Sequence, residues 1–182
     1  MKGIVFAEFN DMVEEMFGDD MLEDIIDENS ANLSTGGAYT SVGTYDSQEL
    51  VCLVVSLSKH TNIAVDELIR TFGLHLADVF AKKFSTFFTD CSDTFSFLKT
   101  IDNHIHVEVH KLYPDAKLPK FEYDDSDPRA LKLTYTSTRH LADLAHGLIQ
   151  GVASYYNEDC TIERLDCPTD NSSQKVEFTI SK

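Results

Sequence analysis

Positive charge is scarce in this 182-residue chain: 15 lysines and arginines face 31 aspartates and glutamates, a formal charge of −16. That balance argues against nucleic acid or an anionic membrane as partner, since both reward dense positive charge. It leaves room for one anionic ligand held by a few well-placed cations. No apolar run approaches the roughly 20 residues of a membrane span, and Met1-Lys2-Gly3 lacks the long apolar segment of a signal peptide. Cysteine is sparse, at positions 52, 91, 160 and 167, too few and too scattered for a secreted disulfide scaffold. Cytoplasm is the natural location. There is no phosphate-cradling glycine loop, nucleophile elbow or carboxylate pair. Asn171-Ser172-Ser173 matches a glycosylation sequon that a cytoplasmic protein has no use for.

What is present belongs to a folded protein, with 42% hydrophobic and 10% aromatic residues in a length that suits one domain. A unit of this size can enclose a ligand. Acids concentrate at Glu14, Glu15, Asp19, Asp20, Glu23, Asp24, Asp27 and Glu28, either as a solvated face or as a docking surface for a basic partner. Apolar spacing over Phe9 to Ile26 predicts two short helices broken near Gly18. Residues 29–43 read as loop with at most a short strand. A helix starts at Asp46, with Glu49 completing a capping pattern. Another covers Ile63 through Leu76, with Gly73 inside it. Six phenylalanines follow between Phe80 and Phe97 and need a large apolar partner or an ordinary core. A long helix is expected from Ser92 to Leu112, with Phe95, Leu98, Ile105, Val109 and Leu112 on one face and Tyr113-Pro114 at its end. Leu131, Leu133 and Tyr135 alternate as in a strand, Leu141 to Tyr156 is helical, and Cys160 to Leu165 and Val176-Phe178-Ile180 are further strands. The layout is α+β.

Seven histidines stand at 60, 75, 104, 106, 110, 140 and 146. On one helix His106 and His110 share a side, but a zinc pair there lacks a third ligand. His106 lies at the border of the stripe made by Asp102, Ile105 and Val109, where its ring can enter the core edge as a satisfied buried histidine or as an iron ligand. A second clue is Tyr135-Thr136-Ser137-Thr138-Arg139. If the chain stays extended here, period two places Tyr135, Ser137 and Arg139 on one face. Two hydroxyls and a guanidinium can grip a dianionic group, and haem has two propionates and a broad apolar ring. Gly147 and Gly151 leave one helix face bare for another helix or a flat cofactor. Cys160 and Cys167 form no standard zinc knuckle, and no histidine follows residue 146.

Together these residues resemble the haem–nitric oxide/oxygen binding family, the sensor domain also found in soluble guanylate cyclase. The likeness rests on Met1-Lys2-Gly3-Ile4-Val5-Phe6 and on Ile101-Asp102-Asn103-His104-Ile105-His106-Val107-Glu108-Val109. It continues through Tyr113-Pro114, Pro119, the Tyr135/Ser137/Arg139 triad and Gly147-Leu148-Ile149-Gln150-Gly151, nearly end to end. The resemblance implies one domain over 1–182: a helical part of about 1–65, then haem-contacting helices and a four-stranded antiparallel sheet over about 66–182, with haem b (iron protoporphyrin IX) between the lobes. It implies that His106 is the proximal iron ligand, that Tyr135, Ser137 and Arg139 clamp the propionates, and that Pro119 presses the ring out of plane. Leu144 and Phe9 fall at distal positions where dioxygen-binding relatives carry a tyrosine and often a tryptophan. A negatively polarised bound dioxygen needs such a donor, whereas nitric oxide does not.

The expectation is therefore a nitric oxide sensor, with carbon monoxide a weaker ligand and no enzymatic turnover. Nitric oxide is expected to break the iron–His106 bond and so alter a partner in trans, a separate histidine kinase first and a cyclic-di-nucleotide enzyme second. A monomer is expected. The competing readings are a dioxygen sensor on the same scaffold, a cofactor-free acidic interaction module and, less favoured, a haem peroxidase. Related bacterial members often hold zinc in the C-terminal lobe. Here Cys167 looks like one retained ligand, but Arg164 and Ser172-Ser173 stand where its partners would be, and a guanidinium has no lone pair for a metal.

Overall fold

Gly18 interrupts the first helical stretch where the apolar spacing predicts it. In the structure, a computed structural model describing residues 1–169 and 172–182, α1 (Gly3–Phe17) and α2 (Asp19–Asn29) meet at Gly18 with φ 90°. That conformation favours a residue without Cβ. The sequon residue Asn171 lies outside the described residues. The chain divides into two units, 1–72 and 73–182.

In the first unit α1 buries Phe6, Phe9, Met12 and Val13, α2 buries Leu22 and Ile25, and α3 (Ser47–Thr61) buries Leu50, Leu53, Val54 and Leu57. All eight acids between Glu14 and Glu28 are exposed. A short 3₁₀ turn, Ser30–Asn32, and irregular chain lead to α3, and the strand weighed for this stretch reduces to one bridge between Lys2 and Thr44. Asp46 caps α3 by accepting from the Gln48 N–H at 3.0 Å. Glu49 does not close the predicted capping box. It turns inward, only 5% exposed, and accepts from the Ser34 N–H (3.2 Å), the Ser34 hydroxyl (2.8 Å) and the Tyr39 hydroxyl (2.9 Å). Burial, then the Glu49 carboxylate, push the Tyr39 hydroxyl well above the usual tyrosine range. Glu49→Ala would strand three donors and is expected to cost about 2–3 kcal/mol in urea unfolding. Glu49→Gln keeps one acceptor and should lose less.

Helix α4 (Val65–Lys83) carries the chain into the second unit, followed by α5 (Ser85–Thr89) and α6 (Thr94–Leu98). The long helix expected over 92–112 is broken. After α6 comes a π-turn, Ile101–Ile105, in which the Ile105 and His106 N–H groups reach back five residues to Thr100 and Ile101; α7 is His106–Leu112. The break and the wider turn reset the helical phase, which is why Leu112 is 71% exposed and not on the apolar face with Leu98. Among the phenylalanines, Phe88 and Phe97 enter the core with ring centroids 4.4 Å apart, while Phe84 is 40% exposed.

The sheet is antiparallel in the order β1-β2-β4-β3, with β1 Lys120–Asp127, β2 Ala130–Ser137, β3 Thr161–Cys167 and β4 Gln174–Ser181. Leu131, Leu133 and Tyr135 lie opposite Ile180, Phe178 and Val176 and form the buried face with Ala145, Ile149 and Val152 of α8 (Ala142–Tyr155). Strand β1 escapes the sequence pattern because nearly every side chain on it is exposed, so it shows no alternation. The bare face of α8 receives another helix. A Cβ on Gly73 of α4 would lie 2.8 Å from Gly147 Cα and 2.9 Å from Leu148 N, and would also meet the Leu144 carbonyl. One turn further on, Gly151 faces Ala77 in the same way.

Candidate functional site

His106 is the first residue of α7, placed directly after the π-turn. Its Nδ1 lies 2.8 Å from Asp102 Oδ1, one turn back along the same strip of backbone. The side chain is 16% exposed, and its ring stands 5.9 Å from that of Phe121. Burial holds the imidazole below the usual histidine pKa, outweighing the opposing pull of Asp102. A neutral ring whose Nδ1–H donates to a carboxylate keeps its lone pair on Nε2. That is the arrangement in which histidines bind metals. His104 and His110 are exposed, and His104 packs edge-on against Phe87 instead.

The Tyr135 row forms by a different route from the one expected. The chain is extended only through Ser137, because Ser137 Oγ accepts from the Arg139 N–H at 3.1 Å and turns the backbone. His140 then adopts φ 55°, a conformation few non-glycine residues take. The turn still brings the three side chains together. The buried Tyr135 hydroxyl faces Ser137, the Leu141 N–H and the Arg139 guanidinium, and burial raises its pKa. Gln174, opposite Ser137 on β4, pins the far end of the turn by accepting from the Ala142 N–H at 3.0 Å. Arg139 is half-buried and, among the described residues, its guanidinium has no acidic partner. A desolvated, uncompensated cation beside two hydroxyls is a site for an anion.

Phe121 stands between the two groups, with its ring 5.9 Å from His106 and 5.5 Å from Tyr135. It sits directly opposite Tyr135 in the β1–β2 register, two residues after the half-buried Pro119. The overlooked strand β1 therefore supplies a side chain that lies between His106 and Tyr135. Leu144 is half-buried in the first turn of α8. Phe9, in the first unit, is fully buried with its ring edge-on to Phe72 at 5.3 Å. Sequence reasoning missed three further contributors: Asp102 as the partner of His106, Phe121 and Gln174. Only Asp102 left a signal, its i−4 spacing from His106.

Among the described residues, no three histidine, cysteine or acidic side chains come together to hold a metal ion. Cys160 and Cys167 are separate, and Arg164 donates to Asp143 at 2.6 Å and to Asp166 at 2.9 Å. The residues present do fit an iron porphyrin: one neutral histidine with Nε2 to give, and an unpaired arginine with two hydroxyls for its acid groups.

Residues 2–164 match the family described as haem-NO-binding. No curated protein matches the chain. Among solved structures it is similar to the Fe(II) unliganded H-NOX protein from K. algicida, 35% identical, with a TM-score of 0.91 over 100% of this chain and 96% of that one. It also shares the fold of an H-NOX protein from S. oneidensis in the Fe(II)NO ligation state, 24% identical, TM-score 0.88, covering 100% of both chains. The extent of the family match, together with a relative of that identity covered almost end to end, shows that the chain belongs to the haem-NO-binding, or H-NOX, family.

Proposed function

We propose that this protein is a nitric oxide sensor that holds haem b through His106, Tyr135, Ser137 and Arg139 and signals to a separate protein. The family is one of haem-based gas-sensing domains, not of enzymes. The reading is carried by the bond between His106 Nδ1 and Asp102, because it orients the ring and leaves Nε2 as the iron ligand. When bound, haem would supply a ferrous iron able to take a diatomic gas, with His106 Nε2 as its protein ligand and nitric oxide competing with that bond. Arg139 would supply the charge, and Tyr135 and Ser137 the hydroxyls, to hold the propionates, and Pro119 would press on the ring. His106 opens α7 just after a π-turn, so release of its side chain frees a helix that already has a place to shift register. The output needs a partner with different affinity for the two states, a histidine kinase first and a cyclic-di-nucleotide enzyme second.

Phe9 and Leu144, the distal residues of this reading, are both hydrocarbon side chains without a donor for dioxygen. The reduced haem protein is expected to change its visible spectrum with nitric oxide, more weakly with carbon monoxide, and to form no stable adduct in air. An air-stable adduct of the ferrous protein would overturn the nitric oxide reading in favour of dioxygen. Asp102→Ala removes the acceptor for Nδ1–H. It is expected to weaken haem binding about 10-fold in a haem titration, and unchanged affinity would remove Asp102 from the site.

A further inference from the structure

We propose that Arg164 is a positioning residue for the anion clamp: it draws the Asp143 carboxylate onto β3 and so keeps Arg139 uncompensated. This rests on the reading of Tyr135, Ser137 and Arg139 as the clamp for the haem propionates. Asp143 lies in the first turn of α8, four residues after Arg139 and joined to it by the short turn that His140 and Leu141 complete. Its negative charge reaches the Tyr135 hydroxyl, the group the Arg139 guanidinium also faces. An acid at that place is a natural competitor for Arg139, since either could neutralise the cation that an anionic ligand needs.

The side chains show how the competition is avoided. Arg164 Nη1 donates to Asp143 Oδ1 at 2.6 Å, and Nη2 of the same guanidinium donates to Asp166 Oδ1 at 2.9 Å. The Asp143 and Arg164 side chains are only 22% and 25% exposed, so solvent screens this pair poorly. Arg164 Nε is buried without a hydrogen-bond partner among the described residues. The residue thus accepts a desolvation cost to keep both terminal nitrogens on carboxylates, a poor design for stability alone. Among the described residues one arginine is committed to two acids and the other, Arg139, to none. The arrangement separates a structural cation on β3 from a ligand-binding one in the turn after β2.

Removing Arg164 leaves Asp143 free to turn toward Arg139 and to repel the propionates. The test is the rate at which the haem-loaded protein loses haem to an excess of apomyoglobin, with thermal unfolding of each apoprotein alongside. Arg164→Met is expected to lose haem about fivefold faster. The double variant Arg164→Met/Asp143→Asn should return to within about twofold of the starting protein, because the competitor has gone with its guard. Asp143→Asn alone should not accelerate loss, and Arg164→Lys, which keeps the charge, should stay close to the starting protein. Equal rates for Arg164→Met and the starting protein would overturn the proposal, as would a double variant as fast as Arg164→Met. Should Arg164→Met fail to fold, faster loss from Asp143→Asn would overturn it and unchanged or slower loss would support it. A starting protein that takes up no haem would instead overturn the clamp itself.

Discussion

His106→Gly is expected to abolish the histidine-ligated spectrum of the ferrous protein while leaving a folded chain that still takes up haem. The substitution removes Nε2, the neutral ring nitrogen proposed to bind iron, and strands no charge, since Asp102 is 36% exposed and can turn to water. His106 opens α7 rather than lying within it, so the helix-propensity loss is at most about 1 kcal/mol. The Tyr135, Ser137 and Arg139 row proposed to hold the propionates, the pinned turn at Ala142 and the apolar β2–β4 face are untouched. The vacated space is the size of an imidazole, so added imidazole should restore the ferrous spectrum, as no unrelated ligand set would. Haem affinity without imidazole should fall on the order of 100-fold, a first-contact ligand counting for more than its supporting carboxylate. A ferrous spectrum unchanged by the substitution would exclude His106 as the ligand.

The largest effect on stability is expected at Gly73. Valine there must place atoms where the Leu144 carbonyl, Gly147 Cα and Leu148 N already stand, and all three are backbone. Neither helix can yield by rotating a side chain. Separating α4 from α8 would open the seam at Ala77 and Gly151 as well. A cost of about 3 kcal/mol follows, the upper end for overpacking, which lowers the unfolding temperature of the apoprotein by about 6–12 °C for a chain of this length. Gly151→Ala provides the comparison. Its new methyl would clash with the Ala77 Cβ, which no side-chain torsion can move, with the Leu74 carbonyl at 3.3 Å, so it too should be clearly destabilising. A near-neutral result at either position would mean that the crossing is not as close as described.

The same two positions show what the sequence could and could not convey. Spacing alone marked Gly147 and Gly151 as a bare face, but only Gly73 on α4 reveals that another helix lies there. Period-two and helical patterns located α1, α2, α3, α8, β2 and β4, since each has one buried and one wet side, and β3, whose inner side is only half-buried. They failed where burial does not alternate, at β1, and where a π-turn resets the phase, between Leu98 and His106. His106 and the Tyr135, Ser137, Arg139 series were legible as residue types. Their geometry was not: Arg139 joins its partners through a turn set by Ser137 Oγ and not along a strand. Glu49 is a parallel case, its capping pattern real in sequence but redirected to Ser34 and Tyr39 by a loop that no local pattern describes.

The central claim, that His106 is the protein ligand of a gas-sensing iron, is tested most directly by resonance Raman spectroscopy of the reduced, haem-loaded protein before and after nitric oxide. An iron–histidine stretching band should be present without gas, absent in His106→Gly, and lost when nitric oxide is added. A band that persists in His106→Gly, or one that survives saturation with nitric oxide, would contradict the account.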